Sequence, residues 1–422
     1  MTKFNKTLLA AAITLASTQT FAAGFQLNSQ SATGIGRAMA GDAIIADNAS
    51  VLARNPAAMA LFDSKALSVG ATYADVNVEI NDVEYAGGLV PVGSLDDAAS
   101  GKVIPNFYYI SPINDKFAYG VAAFTNYGTG TDLTPLTKVE GIQTPIDLLG
   151  NTEVVTINFN ASVSYRINDS LSLGLGLDII KGTGELTRNG NVSLPDPIGA
   201  VPVNLVDVDA DGWAFGGIVG LAYEVNENHR FGLSYRFSPE MKASGDIMYN
   251  PGLVAPQNFS DIEIPMADIA QFAGFHQLTD KFAVHYTAQW TQWSSFDNIS
   301  VTGGHDLLDQ AILKEYNWED SWFLSIGATY DINENWTVRA GFAKDQGVVG
   351  EVSSLSIPDS DRTWYSAGLT YSFDKHHSVD FGYTLVQGEK VHVIEESAIV
   401  GPVSAYTKSG ANYFALQYNY NF

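Results

Sequence analysis

The chain contains no cysteine, so no disulfide braces it; that is compatible with an oxidising compartment. Charge is also scarce. Asp, Glu, Lys and Arg make up 16% of the 422 residues, against roughly 25% in soluble domains. Bases are scarcer than acids: 22 Lys and Arg stand against 46 Asp and Glu, for a formal net charge of −24. So acidic a balance argues against nucleic-acid binding. After the first 22 residues no apolar run approaches the ~18–20 residues that a spanning helix needs. Aromatic residues, by contrast, reach 12%. Few charges, many Tyr, Phe and Trp, and no spanning helix together point to a transmembrane β-barrel.

The first 22 residues read as a secretory signal. Lys3 and Lys6 form its basic end, Leu8 to Ala16 its apolar core, and Thr20-Phe21-Ala22 a small-residue cleavage site. The following stretch, 23–63, differs from the remainder. It is rich in Gly, Ala, Ser and Asn and shows no period-2 alternation. Asn55 is a good helix N-cap and Pro56 suits a first helical position, so a short helix is expected there. A polar, small-residue segment ahead of a closed sheet fits inside it as a plug. The remainder, 64–422, reads as short alternating strands.

Six polar turns punctuate those strands: Ile113-Asn114-Asp115-Lys116, Ile167-Asn168-Asp169-Ser170, Val225-Asn226-Glu227-Asn228, Leu278-Thr279-Asp280-Lys281, Ile332-Asn333-Glu334-Asn335 and Phe373-Asp374-Lys375-His376. Longer connections lie near 81–103, 129–152, 189–209, 246–260, 294–317, 346–361 and 393–408. Short turns on one side and long loops on the other are the asymmetry of an outer-membrane barrel, and about fourteen strands fit between them. The expected fold is therefore all-β: an antiparallel transmembrane barrel plugged by an N-terminal hatch with short helices.

Alternation assigns the faces. Leu171, Leu173, Leu175, Leu177 and Ile179 fall on the lipid side; Ser172, Gly174, Gly176, Asp178 and Arg188 fall in the lumen. Trp336, Val338, Ala340 and Phe342 face out, and Arg339, Gly341 and Asp345 face in. Tyr365, Ala367, Leu369 and Tyr371 face out, with Arg362, Ser366, Gly368 and Thr370 inside. The chain ends on Tyr418, Tyr420 and Phe422, one aromatic face of a strand that must pair with the first to leave no open edge.

Several stretches together resemble the FadL family of outer-membrane long-chain fatty-acid transporters, nearly end to end. They are Ala23-Gly24-Phe25-Gln26-Leu27-Asn28, Gly34-Ile35-Gly36-Arg37-Ala38, Arg54-Asn55-Pro56-Ala57, Asn126-Tyr127-Gly128, Ile357-Pro358-Asp359 with Asp361-Arg362, and Asn419-Tyr420-Asn421-Phe422. The resemblance implies a monomeric outer-membrane channel of a Gram-negative cell that binds its ligand above the hatch and releases it sideways into the membrane. It implies a ligand site at Phe25 and Arg188, a hatch motif at Arg54, Asn55, Pro56 and Ala57, and a lateral opening at Asn126, Tyr127 and Gly128. Asp345 and Arg362 match charged lumen positions facing the hatch. Each has a plainer alternative: an arginine paired with a loop acid, an ordinary strand end, an ion pair within the wall. A second basic residue expected before the tenth strand is replaced by Trp318-Glu319-Asp320, with Glu319 read as lumen-facing. That departure leaves neutral or aromatic hydrophobic compounds open as substrates beside fatty acids. The partners implied are such a hydrophobic molecule, outer-membrane lipid and lipopolysaccharide, with no nucleic acid, cofactor or metal.

Rival readings lack their motifs. Gly34-Ile35-Gly36 has no strand before it and no βαβ unit after it. Asp207-Val208-Asp209-Ala210-Asp211-Gly212 begins like a calcium loop, but position twelve is Ile218 rather than Glu, which leaves at most a weak surface site. No Gly-x-Ser-x-Gly or His-Glu-x-x-His supports an outer-membrane lipase or protease. An open porin does not fit a plugged lumen. A plug makes a direct prediction: single cysteines placed between residues 26 and 60 resist aqueous thiol reagents. Labelling as rapid as that of an unstructured tail excludes it.

Overall fold

The computed structural model describes residues 24–138, 146–194, 199–250, 255–305, 307–350 and 354–422. The expected signal, residues 1–22, lies outside them. The strands in chain order are β1 (Ala66–Tyr85), β2 (Val90–Leu95), β3 (Lys102–Pro112), β4 (Phe117–Phe124), β5 (Gly128–Asp132), β6 (Asn151–Asn168) and β7 (Leu171–Leu194). There follow β8 (Gly199–Asn226), β9 (His229–Phe237), β10 (Glu240–Tyr249), β11 (Gln257–Pro265), β12 (Ile269–Thr279), β13 (Phe282–Thr291) and β14 (Asn298–Thr302). The last are β15 (Gln310–Glu315), β16 (Ser321–Asp331), β17 (Trp336–Asp345), β18 (Arg362–Ser372), β19 (His377–Gly388), β20 (Val391–Ser397) and β21 (Gly401–Asn421).

These segments form one closed antiparallel barrel of 14 staves. Five staves consist of two segments each, interrupted between β4 and β5, β9 and β10, β11 and β12, β13 and β14, and β19 and β20. β2 and β15 fold back as outer hairpins on β1 and β14. Closure is long: β1 pairs with β21 from Ala66↔Asn421 to Tyr85↔Val403, and with β3 on its other side. In hydrocarbon an unpaired backbone group is costly, so closure by pairing is what permits the wall to span.

All six short turns use one device. The side-chain oxygen of Asn114, Asn168, Asn226, Thr279, Asn333 or Asp374 accepts the backbone N–H two residues on, and in five of them also the next. This supplies the turn with bonds its backbone cannot make internally.

The faces follow the alternation. Leu173, Leu175 and Leu177 are exposed, while Ser172, Asp178 and Arg188 are buried. Leu416, Tyr418 and Phe422 point out, and Tyr413, Gln417 and Asn419 point in. Three of the expected loops are largely strand. The 189–209 connection continues the β7–β8 ladder out to Leu194↔Gly199, β2 lies within 81–103, and β20 and the start of β21 occupy 393–408. Asp207, Asp209 and Asp211 therefore sit on β8, paired on both sides, and not in a calcium loop.

Residues 24–62 lie inside the barrel. They contain one short α-helix, α1 (Ala32–Ile35), and two 3₁₀ turns, Ala49–Ala53 and Pro56–Leu61, capped by the side chains of Ser31, Asn48 and Asn55. Such short pieces leave many backbone groups unpaired, and the lumen face supplies the partners. Ala32 N donates to Gln417, Gly41 N to Thr287 and Ala49 N to Ser68; Thr384, Tyr108 and Arg236 donate to the carbonyls of Ile35, Gln30 and Ala53. Asn55 is wholly buried. Its Oδ1 accepts from Ala57 N at 3.0 Å, and its Nδ2 donates to Ala43 O at 2.9 Å and Leu221 O at 3.0 Å. The wall leaves room for this clasp only because it carries glycine. A Cβ on Gly220 would fall 2.0 Å from Asn55 Oδ1, and one on Gly174 2.2 Å from Ala57 N.

Asn55→Ala removes the cap, about 1 kcal/mol, and two further bonds of about 1 kcal/mol each. The hatch should loosen while the barrel stays closed. A cysteine at the buried Ser50 then labels faster, with heat-modifiability on a gel unchanged. Failure of the barrel to assemble would instead make the clasp a folding element.

Candidate ligand site and lateral seam

Gly24 and Phe25 enter the lumen under a box of aromatic rings. Phe25 is 2% exposed, and its ring centroid lies 4.8 Å from Trp293, 5.1 Å from Phe296, 5.8 Å from Tyr127 and 5.9 Å from Trp318. The mostly edge-to-face arrangement matches the ring quadrupoles and fixes the box. Above it lies an apolar space of about 600 Å³, open volume included, of which about 40 Å³ is unfilled cavity; it is floored by Phe25 and walled by Val154, Val208, Met241, Ile262, Ile264 and Met266. Almost nothing in that wall can hydrogen-bond, so it suits an alkyl or aromatic ligand.

Thr152, Leu186 and Ile299 also line a wider vestibule of about 1460 Å³, open volume included. The vestibule is polar on one side. Arg188, near the outer end of β7, is 6% exposed and donates to Asn151 O at 2.7 Å, Thr187 O at 2.8 Å and Thr152 Oγ1 at 2.8 Å. Among the described residues no acid lies within ion-pairing distance of it. Two of the four vestibule acids, Asp147 and Glu395, are otherwise engaged. Asp147 accepts from Ser397 Oγ and from Ala398 N at 3.0 Å, and Glu395 receives the Lys314 ammonium.

The third stave is interrupted next to this cavity. β3 pairs with β4 only from Pro112↔Ala118 to Phe107↔Ala123. Beyond that, Lys102–Asn106 pair with β1 alone, and β5 pairs with β6 alone. The wall therefore has a seam between β3 and β5. Asp132 N closes its outer end on Ala98 O at 2.8 Å, and Lys102 Nζ reaches Glu153 across it at 3.8 Å. Thr125, Asn126 and Tyr127 form the bend, and Gly128 starts the second segment rather than ending the first. From inside, the N-terminal segment takes the missing strand's place: Leu27 N donates to Asn126 O at 2.7 Å, and Gly128 N to Phe25 O at 2.9 Å. The Tyr127 hydroxyl crosses the lumen to Ala267 O at 2.5 Å and Ser238 Oγ at 3.0 Å, at the breaks of two further staves.

The other expected residues divide. Arg54, in the hatch motif, donates to Gln30 Oε1 at 2.5 Å, Asn28 Oδ1 at 3.0 Å and Gln289 Oε1 at 3.2 Å, tying the motif to the segment that carries Phe25. Arg362 pairs with Asp345 at 3.6 Å and with Asp359, which matches the ion pair within the wall. The wall charges bonded to the hatch include Arg339, to Asp47 at 3.4 Å, Arg236, to Ala53 O, which also pairs with Asp178, and Arg166, to Ala60 O. Glu319 is not on the lumen face of a strand. It precedes β16, is exposed, and lies against Gly350, while Trp318 turns inward into the box. The box residues Trp293, Phe296 and Trp318 and the vestibule pair Lys314–Glu395 escaped the sequence reading. Their meeting is long-range, and only the density of Trp between 290 and 322 hinted at the box.

The comparisons agree with this geometry. The sequence profile described as "Outer membrane protein transport protein (OMPP1/FadL/TodX)" matches residues 13–422. Outer membrane protein P1 of Haemophilus influenzae is 34% identical over 471 residues, covering 100% of both chains. The long-chain fatty acid transport protein of Escherichia coli O6:H1 is 33% identical over 454 residues, covering 100% of this chain and 99% of its own. The crystal structure of a Pseudomonas aeruginosa FadL homologue superposes with a TM-score of 0.82 at 25% identity, over 95% of this chain and 100% of that one. A closed and plugged barrel with an apolar cavity above the plug, and a sequence match along its length, make this chain a member of the OMPP1/FadL/TodX family of outer-membrane transport proteins.

Proposed function

We propose that the protein takes up long-chain fatty acids, holding the tail in the apolar cavity and the carboxylate on Arg188, and releasing the ligand sideways through the seam between β3 and β5. In this reading it works as a monomer, surrounded by outer-membrane lipid and lipopolysaccharide, after export on residues 1–22. The observation that carries the reading is Arg188: a buried guanidinium, without an acid partner among the described residues, at the junction of the polar vestibule and the apolar cavity. A buried unpaired charge is costly, and a carboxylate is the ligand group that satisfies it. Each tail CH₂ that leaves water contributes roughly 0.8 kcal/mol, so the cavity supplies the bulk of the affinity. Residues 24–62 fill the lumen below, and an apolar tail gains nothing by entering the periplasm. The seam offers a path into lipid, backed only by the Phe25–Leu27 segment. The relatives named as long-chain fatty acid transport proteins support the same substrate class. Glu319 is exposed, but the second basic residue is still absent before the tenth strand, so neutral or aromatic hydrophobic compounds stand as the second reading.

Arg188→Ala should weaken oleate binding by tenfold or more, since a charged hydrogen bond contributes about 1.5–3 kcal/mol, while oleyl alcohol shifts less than about twofold. Equal losses would reduce Arg188 to a structural residue. Phe25→Ala opens the cavity floor while keeping the backbone bonds at the seam, so both ligands should weaken together. Calorimetry or fluorescent-probe competition on the detergent-solubilised protein reads each pair. A Phe25→Ala loss confined to oleate would detach that ring from the tail site.

A further inference from the structure

The vestibule contains a second cation that already has a partner. We propose that Glu395 sets the head-group specificity of the site by occupying Lys314, so that an incoming ligand finds one available charge, Arg188. The proposal rests on the transport reading above and adds to it a residue that limits the ligand to a single carboxylate.

Position and burial argue for it. Glu395 is 4% exposed on β20, where Val393, Glu395 and Ser397 share the buried face. One of its oxygens receives the Lys314 ammonium and the other accepts Leu355 N at 2.6 Å. The carboxylate is thus anchored by the backbone, whereas Lys314 arrives on a flexible stem from the β15 hairpin. Lys314, Glu395 and Arg188 line one cavity. A ligand carboxylate can reach Lys314 only by stripping it from Glu395. That would leave Glu395 buried with one backbone donor, at a penalty comparable to the stabilisation from the new ion pair. Arg188 asks for no such exchange, because its three bonds go to neutral oxygens. The ligand's own carboxylate and Glu395 therefore compete for Lys314, and the built-in one is held in place.

Glu395→Gln removes the competing charge while its amide oxygen still accepts from Leu355 N. Lys314 then becomes a second head-group contact beside Arg188. Oleate affinity should rise about tenfold, and that of oleyl alcohol should stay within about twofold. The double change Glu395→Gln with Lys314→Gln should return oleate to its original affinity. If Gln at 395 prevents barrel assembly, Glu395→Ala is read in the same way. Unchanged or weaker oleate binding, with the alcohol retained, overturns the competitor role and leaves the transport reading intact. Failure of the unmodified protein to bind either ligand overturns the transport reading itself, and this proposal with it.

Discussion

A chain that crosses a bilayer as strands must pair every backbone N–H and C=O that meets hydrocarbon. The rest of this structure depends on how that demand is met at the third stave. β3 and β5 do not pair, yet Asn126 O and Gly128 N are not left bare, because Leu27 N and Phe25 O take them from the inside. Thr156 completes the bend, donating its hydroxyl to Tyr127 O at 2.8 Å. One short run, Phe25 to Leu27, thus mends the wall, floors the cavity and begins the plug. Whatever displaces it unmasks backbone in the wall and opens the cavity floor together. On the proposed function, ligand arrival and seam opening would share this one element and need no separate linkage between distant parts.

The plug stays in place for a related reason. Its helical pieces are too short to satisfy themselves, so their carbonyls and N–H groups go to Ser68, Tyr108, Arg236, Thr287, Thr384 and Gln417 of the wall. Within it Arg37 reaches Asp47 at 2.7 Å and Asp42 at 2.8 Å, while Asp47 and Arg54 also reach Arg339 and Gln289 of the wall. Each contact is modest, but a plug that leaves must orphan all of them at once in a poorly hydrated lumen. The small polar residues and glycines on the inner face of the strands are the complement of this plug. They are not the lining of an open pore.

Much of this was legible in the sequence where a local rule applied. Alternation placed Leu173, Leu175 and Leu177 in lipid and Asp178 and Arg188 inside, and six Asn, Asp or Thr residues announced the turns. Local rules failed where the physics was not local. Period 2 persists along β7 and β8 past the membrane, so acids and glycines at 189–209 read as a loop although the ladder continues. Parity carried back from β16 put Glu319 in the lumen, but the strand starts at Ser321 and parity has no meaning before it. The aromatic box unites residues about 270 positions apart (Phe25 with Trp293 and Phe296), and no window of sequence contains it. The partner of Lys314 was hidden likewise, since the β14–β15 hairpin and β20 meet only across the folded vestibule.

On the proposed function, delivery into lipid imposes a constraint that a storage protein does not face. The tail loses water in the cavity and stays out of water in the bilayer, so the roughly 0.8 kcal/mol per CH₂ gained on entry is not forfeited on leaving. Tail length therefore governs capture from outside and contributes little to the barrier for release. The head group is different, because a carboxylate on a buried guanidinium must give up charged hydrogen bonds to depart. One such contact, at about 1.5–3 kcal/mol, slows release by an amount that thermal motion overcomes quickly; two in the same dry pocket multiply that delay. On the proposed function, an apolar cavity below Arg188, with the neighbouring Lys314 already paired to Glu395, reconciles firm capture with ready exit.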